Sequence, residues 1–377
     1  MAETSRRPPS FVVGERAEDD STLARNLLAS ILAAVTRSAS GVEWAVAVMR
    51  TPVGPIVLLT STEGRGWLPA GLYLPAEVTV PWRWEGVLDN TSRAAVAALE
   101  GTADPARILA EFGAVGRLRS ARITAVASST TIDDHLREIL GADVAVEDRV
   151  SAAESEVDLT APGPGLVDRL AVAGSAEALQ RAATVPEGGL RAECVRLARM
   201  ADAHIRSLPA GVGEQTQGHR AQRSRILDAL EGGGAVPATW WNELQAERPV
   251  VMAESMGRTD MGYGPRGPVD AGAPALRRRA EEMLFLLGAG QPDRQTLRDM
   301  LYTYGQIAEH PVLLSAPRVS TSAGVESVPF AGIDTAGRAR NDTSSAPTVS
   351  APDAAPSTSG LLGSPDGPEG YRERRRA

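Results

Sequence analysis

The sequence contains no lysine; all 39 of its basic residues are arginine. That absence removes Schiff-base chemistry on a lysine amine and the phosphate-binding loop that ends in Gly-Lys-Ser/Thr. Cysteine is nearly absent as well. Cys194 stands alone, and one thiol can neither close an intrachain disulfide nor supply a cysteine-rich zinc site. Aromatic residues make up 4% of the chain, so its cores must be built mainly from Ala, Val and Leu. Long apolar runs are missing too. The run Leu27–Val35 is about nine residues, against the roughly 20 that span a bilayer, and no signal-peptide core follows Met1–Pro9. The chain is therefore expected in the cytoplasm. Positive charge is also in deficit: the formal net charge of −8 opposes a general nucleic-acid binder, and no basic groove-facing helix stands out to support a DNA-associated regulator.

What remains is ordinary globular material. Hydrophobic residues are 43% and charged residues 23% of 377, a length that favours two or three domains. Residues 1–20 read as a flexible arm. A helix capped by Asp20 or Ser21 follows, with Leu23, Leu27, Leu28, Ile31, Leu32 and Val35 at helical spacing. Val42–Met49 and Ile56–Thr60 flank the turn formers Thr51–Pro55 and predict a pair of strands. Recurrent Gly and Pro make Glu63–Pro75 loop and short extended pieces, and Glu77–Val80 a further strand. Ser92–Leu118 reads as helical with breaks at Gly101 and Gly113, Arg122–Ala127 as a strand, and Thr131–Leu140 as a helix started by Thr130 or Thr131. Residues 21–147 thus form an α+β or α/β domain.

The acidic, then Pro/Gly-rich stretch 148–165 reads as a linker. After it the period becomes helical. Leu166–Ala183 holds one or two short helices. Leu190, Cys194, Leu197, Ala201, Ile205 and Leu208 mark a stronger one. Further helices are expected at Gln217–Glu231, Pro237–Met256, Ala275–Leu287 and Pro292–His310, with Met256–Ala273 a loop. Residues 166–310 are then an all-α helical bundle, and 311–377, rich in Pro, Ser, Thr, Gly and Ala, a disordered tail.

Signals for chemistry are few. The histidines, His135, His204, His219 and His310, lack zinc-ligand spacing, so no metal site and no cofactor are expected. Cys194 and His204 lie on one helix about 15 Å apart along its axis, too far to act as a pair. Asp133-Asp134-His135, after Ser128-Ser129-Thr130-Thr131, sits at a strand-to-helix junction where α/β active sites occur. It offers a general base or a cation site on one reading and a capped helix on the other, and the cap is favoured. Glu247-Arg248-Pro249 and Arg277-Arg278-Arg279 read as solvated faces. The tryptophans carry more. Trp82 and Trp84 share a face if extended, and Trp240 and Trp241 point about 100° apart on a helix. With Trp67, these are the candidate partner-binding residues.

Gly66-Trp67-Leu68-Pro69-Ala70-Gly71-Leu72-Tyr73-Leu74-Pro75, followed by Pro81-Trp82-Arg83-Trp84, resembles the first of a pair of domains of unknown function in mycobacterial and related actinobacterial proteins. The region around Trp240-Trp241 and Ala275–His310 is similar to the second. The same pair occurs at the C-terminal end of EspK, a chaperone-like factor of type VII secretion. In this chain the low-complexity segment follows the paired domains rather than preceding them. The resemblance implies a non-enzymatic adaptor or chaperone-like protein whose partner is a helical secretion substrate. The alternative is an enzyme with its site near Ser128–His135.

Overall fold

The computed structural model describes residues 17–84, 88–99, 104–115, 121–153, 157–208, 217–246, 268–310 and 313. The expected tail 311–377, Leu313 apart, and residues 1–16 of the expected arm lie outside the described residues.

The first helix, α1 (Ala17–Val35), begins before the expected cap, and Asp20 lies within it. Its carboxylate goes elsewhere. It accepts two hydrogen bonds from the Arg50 guanidinium, at 2.9 and 2.8 Å, and one from the Thr124 hydroxyl at 2.7 Å. The helix start is thus bolted to two strands, β1 (Trp44–Thr51) and β5 (Arg122–Ser128). Strand β2 (Gly54–Ser61) pairs with β1 antiparallel through the Thr51–Gly54 turn. The two-residue β4 (Val78–Thr79) adds parallel to β2, and β6 (Ala145–Glu147) parallel to β5, so the sheet order is β4-β2-β1-β5-β6. Mixed pairing leaves β1 central and buried on both faces. Trp44, Val46 and Val48 point to one apolar cluster and Ala45, Ala47 and Met49 to the other. That is why its sequence runs apolar without alternation.

The second face is covered by α2 (Asn90–Ala98), α3 (Pro105–Gly113) and α4 (Asp134–Leu140). Asp104 starts α3 by accepting from the amides of Ala106 and Arg107, with Pro105 in the first turn, where its missing N–H costs nothing. The α4 cap is Asp133, not Thr130 or Thr131. Its side chain accepts from the Leu136 amide at 2.7 Å.

On the first face lie α1 and then a layer of helices: α5 (Arg169–Ala173), α6 (Ala176–Thr184), α7 (Leu190–Arg206), α8 (Gln217–Glu231), α9 (238–246), α10 (Pro268–Gly288) and α11 (Arg294–Ala308). The α7 stripe read from the sequence, Leu190, Cys194, Leu197, Ala201 and Ile205, is buried. Asp293 caps α11 in a reciprocal box with Thr296. Helix α10 starts at Pro268, so the loop expected through Ala273 ends earlier, and 256–267 lie outside the described residues.

The stretch expected as a linker is tied down on both sides. The Val150 amide donates to the Ser128 carbonyl, Tyr73 to Leu159, and Ala76 to Gly165, while Leu159 is buried. Immediately after it, β7 (Leu166–Asp168) pairs with β3 (Tyr73–Pro75). One apolar cluster then runs unbroken from Leu27 and Trp44 through Leu170 and Leu197 to Met300 and Ile307. The sheet layer and the helical layer therefore share a core, and all described residues fall in one compact unit, Met1–Arg318.

Candidate functional site

Three places gather the chemically capable side chains, and the candidate tryptophans are divided among them. The first is where the loop after β2 meets α10 and α11. Gly64, Arg65 and Gly66 take φ of 78°, 46° and 62°, three left-handed residues in a row. Position 66 has no room for a side chain, since a Cβ there would lie 2.6 Å from Val80 Cβ. The twisted loop is held from the helical side. The Tyr302 hydroxyl accepts from the Leu68 amide at 2.8 Å and donates to the Gly66 carbonyl at 3.2 Å.

Arg169, 1% exposed, is the centre of this junction. Its guanidinium donates to Asp299 Oδ1 at 2.6 Å, to the Leu68 carbonyl at 3.0 Å and to Glu282, and it stacks 4.8 Å from the Tyr302 ring centroid. Burial works against its charge, yet Glu282 and Asp299 outweigh burial and hold its pKa above the ordinary value. Burial pushes the Asp299 carboxyl up, with Arg169 opposing. Trp67 belongs to this junction. Its indole N–H donates to Glu282 at 3.3 Å, its ring lies 6.5 Å from that of Trp44, and Arg279 sits 5.8 Å away on its face. Arg278 and Arg279 both bond Glu63, and together they outweigh its burial and lower its pKa.

This corrects the reading of Arg277-Arg278-Arg279 as a solvated face: Arg277 and Arg279 are each 2% exposed. The charges of Arg278 and Arg279 are matched by Glu63, 215 residues away for Arg278, and local pattern does not show such a partner.

The second place is the far side of the sheet. Trp82 and Trp84 do not share an extended strand. Pro81–Trp84 forms a 3-10 turn that drops both rings into the second apolar cluster. Trp82 is buried, and Trp84 meets Phe112 edge to face at 6.1 Å.

The third is α9. The Arg225 guanidinium lies 4.0 Å from the ring centroid of Trp240. Gln222 of α8 donates to the Trp240 carbonyl at 2.9 Å and to Glu243 at 3.0 Å, and Arg225 bonds the same Glu243 carboxylate at 3.2 Å. Trp241 packs on the end of α10, where a Cβ added to Gly288 would come within 3.1 Å of the ring. Leu244 anchors the helix to the core. Both tryptophans are partly buried and packed against the core.

The side chains of Ser128–Asp133 are tied into the surrounding structure. Ser128 and Thr130 hydroxyls pair at 2.9 Å. Ser129 donates to Glu43 at 2.5 Å and accepts from the Trp44 amide at 2.9 Å. Asp133 caps α4, while Asp134 and His135 are exposed. Cys194 is buried in the first cluster, and burial pushes its thiol up to about 12. His204 instead meets Tyr304, at 3.4 Å. Among the described residues no group of three or more His, Cys, Asp or Glu is placed to hold a metal ion, and no helix is long and apolar enough to cross a membrane.

Sequence pattern missed Arg169, Asp299, Glu282 and Tyr302, because their partnership spans 101 to 234 residues.

These features define a layered protein, with a five-stranded mixed sheet between helices and a larger helical layer pinned to it by a buried ionic junction. No family model matches the sequence. None of the curated proteins matches it. Among solved structures, the chain is similar to a fragment of the conserved hypothetical protein Rv3899c from Mycobacterium tuberculosis, at 17% identity over 78% of this chain and 97% of that one, with a TM-score of 0.31.

Proposed function

We propose that this chain is a non-enzymatic, chaperone-like adaptor that binds a helical segment of a protein partner across the α9 face bearing Trp240 and Trp241. One observation carries the reading. Two adjacent large aromatics are both left partly exposed, with the Arg225 guanidinium 4.0 Å from the Trp240 ring centroid and Trp241 packed against Gly288. Aromatics braced in this way bind with little loss of side-chain freedom and are the commonest anchors of protein interfaces. A partner helix would lay its i, i+3 and i+4 apolar side chains against them. The bonding of Ser129 to Glu43 and of Asp133 to its own helix supports the non-enzymatic part, since both side chains are occupied in local structure. The secretion context, with type VII substrates as partners, comes from the resemblance at Gly66–Pro75 and around Trp240-Trp241.

The test is titration calorimetry of the full chain with a recombinant helical type VII secretion substrate. Trp240→Ala is expected to weaken binding about thirtyfold, as an anchor worth roughly 2 kcal/mol would, while the unfolding midpoint stays near that of the unaltered protein. Equal binding by Trp240→Ala and Trp241→Ala would place the interface elsewhere, and no binding by the unaltered chain would remove the proposed partner class.

A further inference from the structure

We draw no further inference here: the strongest candidate, the groove of about 530 Å³ between the C-terminal half of α1 and residues 152, 153 and 160, is walled by alanines with the exposed Arg37 at its rim, and no buried polar side chain among its described lining residues marks what it would hold.

Discussion

Replacing Arg169 with methionine keeps an unbranched apolar stem and removes the guanidinium that Glu282 and Asp299 both bond. Glu282 and Asp299 would then face one another across a site where the arginine was 1% exposed and Asp299 is 8% exposed. Breaking a buried ion pair from one side costs about 3–5 kcal/mol, because the charge left behind stays desolvated. The Leu68 carbonyl also loses its 3.0 Å donor, a loss of about 1–3 kcal/mol for a buried acceptor. The two effects share one side chain and overlap, so a total of about 4 kcal/mol is expected rather than their sum. Urea unfolding followed by tryptophan fluorescence measures this directly, and Trp67, bonded to Glu282, reports from the site itself.

The loss should shrink in acid. Stranded carboxylates hold protons more readily folded than unfolded, so the folded variant binds more protons and gains stability as pH falls from 7 towards 5. A triple variant, Arg169→Met with Glu282→Leu and Asp299→Leu, is expected to recover most of the stability, since it leaves no charge unpaired. A loss below about 1 kcal/mol for Arg169→Met, set against the 3–5 kcal/mol expected of a broken buried pair, or a loss that grows as pH falls, would refute the claim that this junction is held by matched charge.

Three further outcomes follow from single positions. Gly66→Ala should cost about 2–4 kcal/mol, combining the left-handed penalty with the Val80 contact. Gly71→Ala, at φ 78° with nothing within 4 Å, should cost only about 1–2 kcal/mol, and chemical denaturation of the two side by side checks the difference. The Cys194 thiol, buried and pushed up to about 12, should be silent to a disulfide reagent at pH 8 until urea unfolds the chain; rapid labelling of the folded protein would contradict its placement. His310 is driven down to about 3 by burial, with Arg279 and Arg65 adding to it. Unfolding restores its ordinary affinity for protons, so this group lowers stability as pH falls from about 6.5 towards 3. His310→Gln should flatten that part of the stability–pH curve, and an unchanged curve would show the imidazole to be solvated.

Much of the helical layer could be read from local pattern because burial there follows a single helix face. Helix α7 shows this in Leu190, Cys194, Leu197, Ala201 and Ile205, and α11 in Leu297, Met300, Leu301 and Ile307, although it starts at Arg294 after the cap Asp293 rather than at Pro292. The β1–β2 hairpin was equally legible, since Pro52 and Gly54 interrupt two apolar runs. What escaped was whatever depends on a distant partner. Asp20 looks like a helix cap until Arg50 and Thr124 are brought to it. Residues 148–165 look like a linker because many of their restraints are backbone bonds, to Ser128, Tyr73 and Ala76, which leave no trace in composition, and the side-chain bond of Asp148 is to Arg137 on another element. Of the candidate surface, adjacency alone suggested that Trp240 and Trp241 differ in environment. The bracing by Arg225 and Gly288 comes from other helices and could not be inferred.

The clasp of Tyr302 on the loop after β2 bears on how this protein is made. The Leu68 amide waits for a hydroxyl encoded 234 residues later. At about 5–20 residues per second, a ribosome needs roughly 10–50 s to supply it. For all of that interval Trp44, Leu59 and Leu68 have α1 beside them but lack the cover of α11, and the left-handed turn at Gly64–Gly66 has only its own backbone bonds to keep it wound. The contacts of this loop with α11 therefore form late in synthesis, and their long separation in sequence slows folding.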